Sequence, residues 1–141
     1  MHELLLRSLR DAFPDGSPPS GPVTGHRCEE CDEVDALLRG RTCSDVAAAF
    51  PGYCHDAFPL LTPAAQIYCL PAFMATALGP HAGMQGTSLE SAFLENRVPA
   101  EAFSIAQRRV IAAWLKTYWQ LTHGKDSAPS QLAAQWSDDR E

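Results

Sequence analysis

The sequence predicts an all-α protein: a compact bundle of five to seven helices, with one long C-terminal helix and a proline-kinked central helix. Three observations carry this. Apolar residues recur at three- and four-residue steps in several segments. Helix-start chemistry stands before them, a capping hydroxyl followed by proline or by a glutamate or glutamine three residues on. No run alternates apolar and polar residues for long enough to make a strand. The 141 residues are 45% apolar, which suits one domain, because a chain of this size buries roughly 68% of its unfolded surface on folding.

In residues 1–13, Leu5, Leu9 and Phe13 recur at four-residue steps beside Leu6, with Arg7, Arg10 and Asp11 off that stripe, so an amphipathic helix is expected. Residues 14–27 form a Pro/Gly-rich loop, with four prolines and three glycines between 14 and 25. The sequence is compatible with a first helix that packs on the rest or one that works as a semi-independent arm. The helical core spans 28–124 and forms a single domain with 1–13. Within it, Glu29 to Arg39 places Val34, Leu37 and Leu38 inward, with Gly40 as the stop. Ser44 is the expected N-cap of a short helix through three alanines to Phe50, ended by Pro51-Gly52. Thr62-Pro63 opens a helix toward Leu78, broken or kinked at Pro71, where proline removes a hydrogen bond.

Residues 79–86 read as a second loop. Thr87-Ser88-Leu89-Glu90 has capping-box spacing and starts a helix through Leu94. Ser104 and Gln107 repeat that signature before the longest helix, whose expected inner face carries Val110, Ile111, Trp114, Leu115, Tyr118 and Leu121 up to His123-Gly124. Trp114, Tyr118 and Trp119 are read as core and rim aromatics rather than a stacking platform, and Arg108-Arg109 as solvated. Residues 125–141 form a polar, acidic tail with room for a last turn carrying Leu132 and Trp136.

Charge excludes some partners. Acids outnumber bases 17 to 11, giving a net charge of −6, and only Lys116 and Lys125 are lysines, which argues against a general nucleic-acid binder. Charged residues interrupt the N-terminal leucines, so no export signal is expected. The most apolar stretch, Ile67 to Leu78, is too short for a membrane span. The expected location is cytoplasmic, and the five cysteines (28, 31, 43, 54 and 69) are read as thiols.

One segment could carry chemistry: His26-Arg27-Cys28-Glu29-Glu30-Cys31-Asp32-Glu33-Val34-Asp35. Two thiolates two residues apart can converge on one zinc ion, with His26, Cys43, Cys54 and His55 as candidates to complete a tetrahedron. A redox pair at a helix N-terminus ranks lower, because five neighbouring carboxylates are expected to raise both thiol pKa values and the strand–helix alternation of a thioredoxin-like fold is absent. The plainest account packs small cysteines at a helix start while carboxylates favour its electropositive end. That account leaves the crowding of Glu29, Glu30, Asp32, Glu33 and Asp35 unexplained. These five acids would suit a partner with a basic surface. No catalytic residues are assigned; Cys54, His55 and Asp56 are the first to mutate in an enzymatic reading that ranks third.

With these residues in hand, the chain resembles a family of small bacterial proteins, domain of unknown function 6714. The resemblance rests on Cys28-Glu29-Glu30-Cys31-Asp32-Glu33, Leu37-Leu38-Arg39-Gly40, Pro59-Leu60-Leu61-Thr62-Pro63-Ala64 and Tyr68-Cys69-Leu70-Pro71-Ala72-Phe73, with the late helix containing Gln107. It covers about Cys28 to Leu115 and implies a soluble α-helical protein with no established activity. The family pattern has an aromatic residue where Cys43 stands, which argues against Cys43 as a shared ligand. The leading expectation is a non-enzymatic protein-binding module, of the immunity or antitoxin type, presenting its acidic helix to a basic toxin or partner. The alternative is a small zinc-binding structural or regulatory protein using Cys28 and Cys31, zinc being the one cofactor considered. Neither reading involves nucleic acid or membrane.

Overall fold

Local chemistry sets several of the helix ends. The computed structural model describes residues 2–26, 28–45, 57–79 and 87–124, with Leu132, Gln135 and Trp136. Five helices have both ends within these residues: α1 (Glu3–Ala12), α2 (Glu29–Leu38), α3 (Pro63–Thr76), α4 (Thr87–Leu94) and α5 (Ile105–His123). Short 3₁₀ turns at Phe58–Leu60 and Ala100–Ala102 lead into α3 and α5. Among the described residues there is no strand, only an isolated antiparallel bridge between Thr24 and Leu61. The all-α bundle and its long C-terminal helix stand as expected.

Helix α3 lies at the centre. The Thr62 hydroxyl accepts the Ala65 N–H at 3.2 Å, and Pro63 occupies the first turn, where its missing N–H removes no bond. The helix continues past Pro71 to Thr76, and Ala65, Cys69, Leu70, Pro71, Ala72, Phe73 and Met74 are all buried. A helix apolar all round belongs in the interior. Helix α5 is tied to it through Trp114, fully buried, whose Nε1 donates to the Met74 carbonyl at 2.8 Å. At the start of α5 both halves of the capping box form: Gln107 N–H donates to Ser104 Oγ, and Ser104 N–H donates to Gln107 Oε1. Gly124 ends it at φ +65°, a left-handed position that favours glycine.

Helix α4 ends in a Schellman arrangement around Asn96, at φ +57°: Asn96 N–H donates to Phe93 O and Arg97 N–H to Ala92 O. The Thr87 side chain, half of the expected capping box there, lies outside the described residues. Glu90 on α4 reaches His123 at the end of α5, at 2.7 Å. Helix α1 is no free arm. It packs on α5 and α3, buries Leu9, and has its last carbonyl, Ala12 O, held by Gln107 Nε2.

Several details differ from the sequence expectations. Thr42, not Ser44, supplies the hydroxyl to the helical residues 43–45, accepting Asp45 N–H, while Ser44 N–H donates to Asp15 Oδ1. The rest of that expected helix, through Phe50, lies outside the described residues. On α5 the buried arc runs through Ile111, Trp114, Leu115, Tyr118 and Trp119, leaving Leu121 at its edge and 45% exposed. Arg108 donates from Nη1 to Phe103 O rather than standing solvated. The residues of the expected last turn are anchored in the core. Trp136 is 1% exposed between Phe93 and Phe103, Leu132 is buried, and Gln135 Nε2 donates to Asn96 Oδ1.

Candidate metal centre

The loop from 14 to 26 is fastened to the bundle by polar contacts at points where its prolines permit no regular ladder. Tyr68 OH donates to Gly16 O, Thr62 N–H donates to Val23 O, and Val23 itself is buried. Val23 N–H donates to Asp35 Oδ1 at 2.6 Å, and Asp35 Oδ2 meets Arg39 one helical turn on, at 2.5 Å. These bonds bring the end of the loop, with His26, against the first turn of α2.

There Cys28 is the N-cap. Its backbone is extended and its Sγ accepts the Cys31 N–H at 3.2 Å, the place a serine oxygen usually takes. Capping by sulfur holds the Cys28 side chain over the helix end, and one turn later Cys31 points into the same corner, wholly buried. His26 completes the group: its Nδ1 lies 3.6 Å from Cys31 Sγ. The donor atoms of His26, Cys28 and Cys31 all lie within 4.8 Å of one another. The edges of a zinc tetrahedron with these ligands, from bond lengths of about 2.3 Å to sulfur and about 2.0 Å to nitrogen, are roughly 3.5–3.8 Å. The His26–Cys31 separation already has that length, and small side-chain rotations would bring in the third donor.

The electrostatics separate the two thiols. Hydrogen bonding from the Cys31 side chain and amide, and then from His26, holds the Cys28 thiol below its usual value. Pairing with Cys28 and burial push Cys31 up to about 11, with Glu30 and Asp32 adding to the rise. The expectation that the carboxylates raise both thiols therefore fails for Cys28, where hydrogen bonds with Cys31 and His26 outweigh burial. Two protons must leave when both sulfurs ligate a metal.

Cys43 is buried elsewhere, in the wall of a cleft of about 340 Å³ with Phe13, Asp15 and Tyr68. Cys54, His55 and Asp56 lie outside the described residues. Glu29, Glu30, Asp32 and Glu33 are exposed around the donor group. Asp35 is mostly buried, 16% exposed, and committed to Val23 and Arg39. Its structural role escaped the sequence reading, because a carboxylate bonded to an amide twelve residues earlier leaves no local pattern. No helix of the described residues is long and apolar enough to cross a membrane. In comparisons with known proteins, no family model, no curated protein and no solved structure matches the chain.

Proposed function

We propose that the protein binds one zinc ion through His26 Nδ1, Cys28 Sγ and Cys31 Sγ, and that the ion staples the Pro/Gly-rich loop to the start of α2. The observation that carries this reading is the convergence of an imidazole and two thiols, from a loop and a helix, within 4.8 Å of one another, with the His26–Cys31 separation already that of a zinc tetrahedron. Softness points the same way, since thiolates with imidazole select zinc over calcium or magnesium. A ligand set shared by two segments exists only in the folded chain, so zinc would stabilise it by mass action, by about 2.7 kcal/mol when free zinc stands at 100 times its Kd. Thermal unfolding with and without zinc, in reducing buffer, tests this. A rise in Tm for the wild type, absent from Cys31→Ser, is expected; equal Tm values with and without zinc would contradict it.

A second reading is favoured by the four exposed carboxylates of α2, Glu29, Glu30, Asp32 and Glu33, which form an acidic face for a basic protein partner, a toxin among them. Asp35 drops out of that face because its bonds are internal. Reversing the four to lysine would abolish capture of such a partner; unchanged capture with unchanged salt dependence would end this reading.

A further inference from the structure

Resting on the zinc reading, we infer that the metal keeps its fourth coordination position for a histidine side chain carried on a positively charged segment of a partner protein. Among the described residues three donors converge, His26, Cys28 and Cys31, one fewer than the four of a closed structural site. Three protein ligands with one exchangeable position are the arrangement that takes an outside ligand. His26 is exposed and Cys28 partly so, which puts these two donors at the surface, with Cys31 buried beneath them.

Charge decides which donor fits. Two thiolates cancel the zinc charge, so the filled site offers an incoming anion no net attraction. Around it stand Glu29, Glu30, Asp32 and Glu33, all exposed, and between residues 26 and 35 the sequence sets only Arg27 against its five acids. Carboxylate, phosphate and free thiolate donors are repelled. A neutral imidazole bears no such penalty, and basic residues flanking it are drawn to the same carboxylates. The acidic face and the thiol pair then act as one surface: the carboxylates gather a basic segment, and the metal holds one residue of it.

Cobalt substitution tests this on the whole chain, since Co²⁺ in a thiolate site absorbs visibly and its bands report each change of ligand. The reduced protein is loaded with Co²⁺ and titrated with free imidazole. It is then titrated with two short peptides containing one histidine, one flanked by lysine and arginine and the other by glutamate. The expected result is a shift of the visible bands with imidazole and with the basic peptide. The basic peptide should bind about tenfold or more tightly than the acidic one, and raising the salt should shrink that ratio. Replacing the four carboxylates by amides (Glu29→Gln, Glu30→Gln, Asp32→Asn, Glu33→Gln) should keep the cobalt and abolish the preference. A cobalt spectrum unmoved by imidazole, yet altered by Cys54→Ser or His55→Ala, would place the fourth ligand in the chain itself and overturn the inference while leaving the zinc reading intact. Equal affinity for the two peptides would overturn the charge selection. Absence of cobalt binding would remove the zinc reading beneath both.

Discussion

Two regions of this molecule are held together by different physics. Where α4, α5 and the tail meet, Phe93, Phe103, Trp114, Tyr118 and Trp136 pack ring on ring: Trp114 stacks on Tyr118 at 4.8 Å, and Trp136 meets Phe93 at 5.4 Å. Burial of large apolar surface accounts for that region, and it needs no ligand. At the junction of the loop with α2, only Cys31, Val34 and Leu38 of the helix are buried, and order comes from paired polar atoms: Cys28 with Cys31, Cys31 with His26, Asp35 with Val23 and Arg39. An arrangement that relies on donor atoms is the one that a metal would complete.

The largest effects should come from the aromatic region. Trp114→Ala removes a fully buried ring and leaves the Met74 carbonyl without its donor. It should cost about 3–5 kcal/mol in denaturant unfolding. Trp136→Ala should cost about 3 kcal/mol or more by the same cavity argument, whereas a loss below about 1 kcal/mol would show that the tail does not seal the core. Neither change touches His26, Cys28 or Cys31.

Asp35 sharpens the contrast through pH. Burial pushes its carboxyl up, but the Val23 amide and the Arg39 guanidinium outweigh burial and leave it below the usual carboxylate value. A carboxyl depressed on folding stabilises the fold above its unfolded value, and that contribution is lost as pH falls through the folded value. Asp35→Ala should therefore cost about 1–3 kcal/mol at neutral pH. The gap from the wild type should close as pH drops below about 3.9. A gap independent of pH would mean that Asp35 acts through packing alone.

Smaller still, Ser104→Ala should cost about 1 kcal/mol, since it removes one half of a formed capping box. Least of all, Cys28→Ser should shift the metal-free stability by no more than about 0.5 kcal/mol, because serine is itself a good cap. The same substitution should abolish zinc binding. That pairing of a silent fold with a lost ligand is what the aromatic region cannot give.

The same contrast explains what the sequence made legible. Helical spacing marked Ile111, Trp114, Leu115 and Tyr118 as core, and Thr62-Pro63 and Ser104 with Gln107 as helix starts, because these are local rules the chain obeys within one or two turns. Leu121 and Arg108 were misplaced because the width of a buried arc, and the reach of a long side chain to a backbone carbonyl, are set by neighbouring elements. At the candidate site, the spacing of Cys28 and Cys31 was visible and His26 was one of four possible additions. Bringing His26 beside the pair required the fold of the loop, fixed by Val23 with Asp35 and Thr62 across 12 and 39 residues, while Cys54 and His55 lie outside the described residues. Asp35 looked like one more exposed acid for the same reason.

The central claim is that His26, Cys28 and Cys31 hold a metal. The most direct measurement is zinc titration of the reduced chain with quantification of bound metal, comparing the wild type with Cys28→Ser. One tightly held zinc per wild-type chain, absent from a Cys28→Ser protein that remains folded, is the predicted result. No bound zinc in the wild type, or equal zinc in the variant, would contradict the account.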